Sequence, residues 1–166
     1  MKWFTCLSLL FFIACNNRPQ EPADTLSGKV VGVADGDTFT LLLADNTTKK
    51  IRLHGVDAPE RKQPFGTVSR QQLSKLVFQK QVSVQQTDID RYGRVVGIAR
   101  VDGLVVNEEM LRSGLAWHYT EYDDNPRWAQ LEREARQRGV GLWSERSPVA
   151  PWQWRREQRQ ARKPAA

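Results

Sequence analysis

Residues 29–56 read KVVGVADGDTFTLLLADNTTKKIRLHGV, three β-branched or apolar runs separated by Asp35-Gly36-Asp37 and Asp45-Asn46. Runs of this kind with turn residues between them fit three consecutive antiparallel strands. The period then changes. Over Gln63–Gln79, after Pro64, Leu73, Leu76, Val77 and Lys80 fall on one stripe, which predicts an amphipathic helix. VSVQQTD and RVVGIARVDG return to short strands, joined around Ile89–Gly93. Two helices follow, Asn107–Ser113 with Glu108 and Glu109 in its first turn, and Pro126–Arg138 ended by Gly139. Trp128, Leu131 and Ala135 give the second an inward face. Five strands with a helix between the third and fourth is the element order of the OB-fold. The expected fold is therefore mainly β with α, a five-stranded β-barrel with three helices.

The length of 166 residues suits one domain with short extensions. With 40% hydrophobic and 27% charged residues the chain should fold rather than remain disordered. The only cysteines, Cys6 and Cys15, lie in the first fifteen residues, so the body has neither a disulfide framework nor a Cys-ligated zinc. Met1-Lys2 followed by an uncharged apolar run and then a polar NNRPQEP is the pattern of an export signal. That run is too short for the roughly 20 residues that span a bilayer. Its end, Phe12-Ile13-Ala14-Cys15, resembles a bacterial lipobox with Phe in place of the usual Leu. The expectation is a signal over 1–14, a lipidated Cys15 with a flexible tether over 15–25, and location in the bacterial cell envelope. A cleaved, secreted protein and an uncleaved anchor are the alternatives.

The net charge of +6 favours a polyanionic partner such as nucleic acid or an anionic membrane. It is unevenly spread. Residues 152–166 hold five basic side chains and one acidic, while 15–151 hold 19 basic and 18 acidic. The excess thus reports a basic C-terminal extension over 148–166, in which Trp152 and Trp154 either dock back onto the barrel or form a contact surface.

Three segments carry chemistry: Asp35-Gly36-Asp37-Thr38, Arg52–Glu60 and Asp90–Arg94. Singly, the first and third read as Asp-Gly and Gly turns, and the second as a solvated rim after a strand stopped by Pro59. Together they place acidic oxygens, a spare carboxylate and two arginines at strand ends. Carboxylate oxygens suit Ca²⁺ or Mg²⁺, guanidinium groups hold phosphate, and a further carboxylate can act as general base. Several carboxylates in one pocket would raise one another's pKa without a cation. Arg52 and Asp57 are five apart, so a regular pleat would put them on opposite faces. Gly55 is the expected bend that re-aims Asp57.

These segments, with Val106-Asn107-Glu108, Leu111, Gly114-Leu115-Ala116 and the closing Gly141-Leu142-Trp143, resemble the staphylococcal nuclease (thermonuclease) family over about Leu26–Ser147. The resemblance implies a nuclease domain over 26–147 and a metal-dependent endonuclease of DNA and RNA that leaves 3′-phosphate ends. It assigns Asp37, Asp57 and the backbone carbonyl of Ala58 to calcium, and Asp35 to the acidic position behind them in the same turn. Glu60 matches the general base, and Arg52 and Arg94 the phosphate-holding arginines. Tyr119 or Tyr122 is expected to stack on a base or touch the terminal phosphate, a core role for either being the alternative. His54 and His118, without partner cysteines, are expected to be structural or surface residues. The other partner expected is the membrane, through the lipid anchor; none is implied among proteins, and a monomer is expected. A nucleic-acid-binding module of this family without catalysis would lack part of the set Asp37, Arg52, Asp57, Glu60 and Arg94, and all five are present. An envelope structural protein with a basic tail on anionic lipid explains the tail but not the carboxylates.

Overall fold

Strand β1 (Thr25–Val33) alternates as the sequence requires, with Gly28 and Val30 inward and Lys29 outward. In the computed structural model, which describes residues 24–162, it pairs antiparallel with β2 (Thr38–Leu42) on one side and with β5 (Gln81–Ile89) on the other. β2 pairs antiparallel with β3 (Thr48–Leu53), and β5 with β6 (Val95–Val101). The parallel pairing of β3 with β6, Ile51 opposite Val95, closes the sheet into a five-stranded barrel. Closure removes the open sheet edges. Val30, Phe39, Leu41, Ile51, Leu53, Val84 and Ala99 fill the core and are fully or almost fully buried.

Helix α1 (Gly66–Val77) packs on the core through Ser69, Leu73 and Val77. It is shorter at both ends than expected. Phe65, at φ 64°, precedes it in the left-handed region, and its C-cap Phe78 is extended, which leaves Lys80 exposed beyond the helix rather than on its inner face. Helix α2 (Val106–Arg112) follows a two-residue strand β7 (Leu104–Val105). Its Asn107 is fully buried, accepting from the Ala99 N–H at 3.0 Å and donating to the His54 carbonyl at 2.9 Å. That carboxamide ties α2 to β6 and to the chain leaving β3. Helix α3 (Pro126–Gln137) is capped by the Asn125 side chain and buries Trp128, Leu131 and Ala135, the face its spacing predicts.

The structure adds two features. A small second sheet pairs β4 (Val56–Asp57) with β8 (Trp117–His118). A fourth helix, α4 (Pro151–Ala161), raises the expected three to four, with a 3₁₀ turn at Gly141–Ser144 before it. Part of the expected C-terminal extension is thus an ordered helix, and Ala150 and Pro151 are buried against the body. Thr25, expected in the tether, is the first residue of β1. The signal, Cys15 and most of the tether lie outside the described residues. Among the described residues no helix is long and apolar enough to cross a membrane.

Candidate active site

The site gathers at the barrel end where β2 begins and β3 ends. Residues 35–37 turn the chain between β1 and β2, with the Asp37 N–H donating to Asp35 Oδ1 at 3.1 Å. Gly36 is required there because a side chain would run into Ser69 of α1 and Ala58. Asp37, 5% exposed, accepts from the Ala58 N–H at 2.9 Å through Oδ2 and from Thr38 Oγ1 at 2.9 Å through Oδ1. These bonds lock the first turn to the loop that carries Ala58.

The pleat problem between Arg52 and Asp57 is solved at Gly55, which sits at φ 63° between β3 and β4. After the bend, Asp57 lies 1% exposed with Oδ1 at 2.9 Å from Arg52 Nη2, while Arg52 Nη1 pairs with Asp37 Oδ1. One guanidinium thus holds both carboxylates. Gly55 also packs beneath Trp128, whose ring would stand 2.5 Å from an added Cβ, so a larger residue here would disturb the fold as well as the site.

Glu60 follows Pro59 on the same loop, its side chain 42% exposed. Arg94 arrives from the β5–β6 turn. Asp90 holds it there, accepting from Arg94 Nε at 2.7 Å and from the Arg94 and Tyr92 N–H groups at 3.0 and 2.9 Å. Arg94 Nη1 reaches Thr38 Oγ1 at 3.4 Å, next to Asp37. The five residues expected to carry chemistry therefore come to one barrel end, with Asp35 and Ala58 beside them.

Burial pushes the Asp37 carboxyl up, but Arg52 with the Ala58 and Thr38 donors outweighs it and holds the group below its ordinary range. Asp57 moves the other way, raised by burial and by Asp37 despite its arginine partners. Asp35 is pushed up to about 7, first by burial and then by the Asp37 charge.

Residues 50–145 match the family described as staphylococcal nuclease homologue. The chain belongs to that family. An "Uncharacterized endonuclease" of Haemophilus influenzae is 40% identical over 131 residues, covering 79% of this chain and 74% of that one. A protein of Escherichia coli with the same name is 44% identical over 131 residues, 78% of this chain and 85% of that one. "Probable staphylococcal-like nuclease CAN2" of Oryza sativa subsp. japonica is 47% identical over 116 residues, 70% of this chain; the match spans 32% of its length.

For a staphylococcal nuclease homologue the question is whether these residues could hold a cation. Among the described residues no three Asp, Glu, His or Cys side chains converge as a complete ligand set. Asp37 and Asp57, joined by one guanidinium, supply carboxylate oxygens, and Ala58 follows directly with its carbonyl. All these donors are hard oxygens, brought together from the 35–37 turn and from the segment after Gly55. They fit calcium or magnesium, which take water for the remaining positions, and lack the nitrogen or sulfur ligands typical of zinc.

Of the aromatic segment, Tyr119 is half-buried and Tyr122 62% exposed, so neither is a core residue. Their rings meet edge to face at 4.8 Å. Burial, Glu121 and Asp57 raise the Tyr119 hydroxyl above its ordinary value. His118 is buried and bonds Asp123 Oδ1 at 2.7 Å, and His54 approaches the same carboxylate at 3.3 Å. Both histidines are structural, as expected, but their shared partner was invisible in sequence. Sequence reasoning also missed Arg155. It contacts Asp57 and Glu60 from α4, nearly a hundred residues away, and no local pattern announces that contact.

Proposed function

We propose that this chain is a calcium-dependent endonuclease that hydrolyses phosphodiester bonds of DNA and RNA and leaves 3′-phosphate ends. The observation that carries this reading is the single Arg52 guanidinium joining Asp37 to Asp57, with Glu60 and Arg94 at the same barrel end. Asp37, Asp57 and the Ala58 carbonyl would hold calcium, which when bound neutralises charge on a phosphoryl oxygen. Glu60, open to water, takes the proton of the water that attacks phosphorus as the bond to the 5′ oxygen breaks, and that oxygen leaves as a hydroxyl by taking a proton from solvent. Arg52 and Arg94 hold the non-bridging oxygens, where negative charge grows in the transition state. The exposed Tyr122 ring, with Tyr119 beside it, offers a stacking surface for a base.

The test is turnover of single-stranded DNA and RNA by the full chain. Cleavage with added calcium, its abolition by chelator and 3′-phosphate product ends are expected. Binding without cleavage under any divalent cation would favour a module without catalysis.

The chain is also read as exported and held in the cell envelope by a lipid on Cys15. The support is the apolar run ending at Phe12-Ile13-Ala14-Cys15 and the polar stretch after it. Palmitate labelling that disappears in Cys15→Ser, with release from the membrane fraction, is the expected outcome; unchanged membrane association would contradict it.

A further inference from the structure

No step of the hydrolysis above uses helix α4, yet this helix reaches the acidic pair directly. We propose that Arg155 is a positioning residue of the active site, holding the Glu60 carboxylate in place and occupying Asp57 until a cation displaces it. The inference rests on the reading of Glu60 as the base.

The geometry is a fork with a branch. Arg155 Nη1 and Nη2 lie 3.2 and 2.8 Å from Asp57 Oδ1 and Oδ2, and Nη1 also lies 2.8 Å from Glu60 Oε1. A bidentate pair to a buried carboxylate fixes a guanidinium more firmly than a single contact does. Glu60 has no such support of its own. Its side chain is 42% exposed on a loop, and among the described residues its ion-pair partner is Arg155. A long carboxylate without a partner samples several rotamers, and ordering it has an entropic cost. Arg155 ties Glu60 to the docked helix α4, a support that remains when a cation takes Asp57.

The helix is built to deliver that contact. Trp152, one turn before Arg155 on the same face, stacks on Tyr119 with centroids 5.2 Å apart and planes 2° from parallel, and meets the edge of Trp117 at 5.5 Å. The Gln63 side chain donates to the Val149 carbonyl at 2.6 Å, fixing the chain just before the helix. Arg155 is not a solvated tail charge.

The same contact sets Arg155 against the cation. Both Asp57 oxygens accept guanidinium N–H groups, so a cation taking Asp57 competes with those bonds and with the Arg155 charge. Removing Arg155 should therefore act in opposite directions on the two functions, tightening calcium binding while slowing turnover. Removing a merely structural support would weaken both.

Calcium titration calorimetry on the full chain, with turnover of a short single-stranded oligonucleotide at saturating calcium, tests this in wild type, Arg155→Ala and Arg155→Lys. Arg155→Ala should bind calcium several-fold tighter and fall about 10²-fold in kcat, as expected for a misplaced catalytic group, with little change in KM. Arg155→Lys keeps a charge but cannot fork, so its calcium affinity should stay near wild type while kcat recovers only in part. Unchanged affinity and kcat in Arg155→Ala, a rise in kcat, or a joint fall of both would overturn the proposal. A wild-type chain that cuts nothing overturns the nuclease reading and this inference with it, whereas full turnover retained in Arg155→Ala overturns this inference alone.

Discussion

Asp90 shows how one carboxylate can aim an arginine four residues on in the same turn. It closes the β5–β6 turn with three hydrogen bonds, two from Arg94 itself. Burial pushes this carboxyl up, but the Arg94 and Tyr92 donors prevail and hold it below its ordinary value. A folded-state pKa below the unfolded value, near 3.9, gives stability that is full above that pH and lost as pH falls through the folded pKa. Asn at this position does not titrate. Urea unfolding should accordingly find Asp90→Asn less stable than wild type at pH 7, with the gap closing below about pH 4. A gap that stays constant with pH would refute the assignment. Gly55 makes a second residue-scale case. The sequence pointed to a bend that re-aims Asp57, and the positive φ bears this out. What it did not carry was Trp128 lying against the same Cα, a contact made by folding and not by spacing. Gly55→Val should therefore cost about 3 kcal/mol or more of stability in addition to disturbing the site, read as a lowered Tm.

At the scale of elements, the long strands and the first three helices were legible because alternation and helical stripes are written locally. The two-residue strands β4 and β8 were not, since neither is long enough to have a period. Helix α4 was hidden for a different reason. PWQWRREQRQA has only Trp152 and Trp154 as large apolar residues, and what docks it is stacking on Tyr119 and an ion pair to Asp57 and Glu60. Both contacts join segments far apart in sequence. Likewise, the candidate site was legible in its acids and two arginines, but the third arginine was not. Trp152→Ala removes the stacking on Tyr119, so amide hydrogen exchange across 151–161 should rise while that of β1–β6 stays as it was. Unaltered protection of α4 would show that other contacts hold it.

The molecule as a whole divides its charge. Its body is nearly balanced, and the excess sits in the last fifteen residues, where Arg156, Arg159 and Arg162 are exposed beyond the Arg155 contact. Counting every tail charge as a general polyanion contact overlooks that Arg155 belongs to the site. The exposed three remain free to meet phosphates. Replacing them with Gln should flatten the dependence of log K on log salt by about 0.7 for each phosphate of single-stranded DNA that is no longer neutralised, with turnover of short oligonucleotides largely kept.

The role proposed for Glu60 is to activate water beside the carboxylate pair that Arg52 joins. It is tested most directly by comparing single-stranded DNA turnover in wild type and Glu60→Gln at saturating calcium. A fall of about 10²- to 10⁴-fold in kcat is expected, with calcium and DNA binding retained. Turnover at the wild-type rate in Glu60→Gln would contradict it.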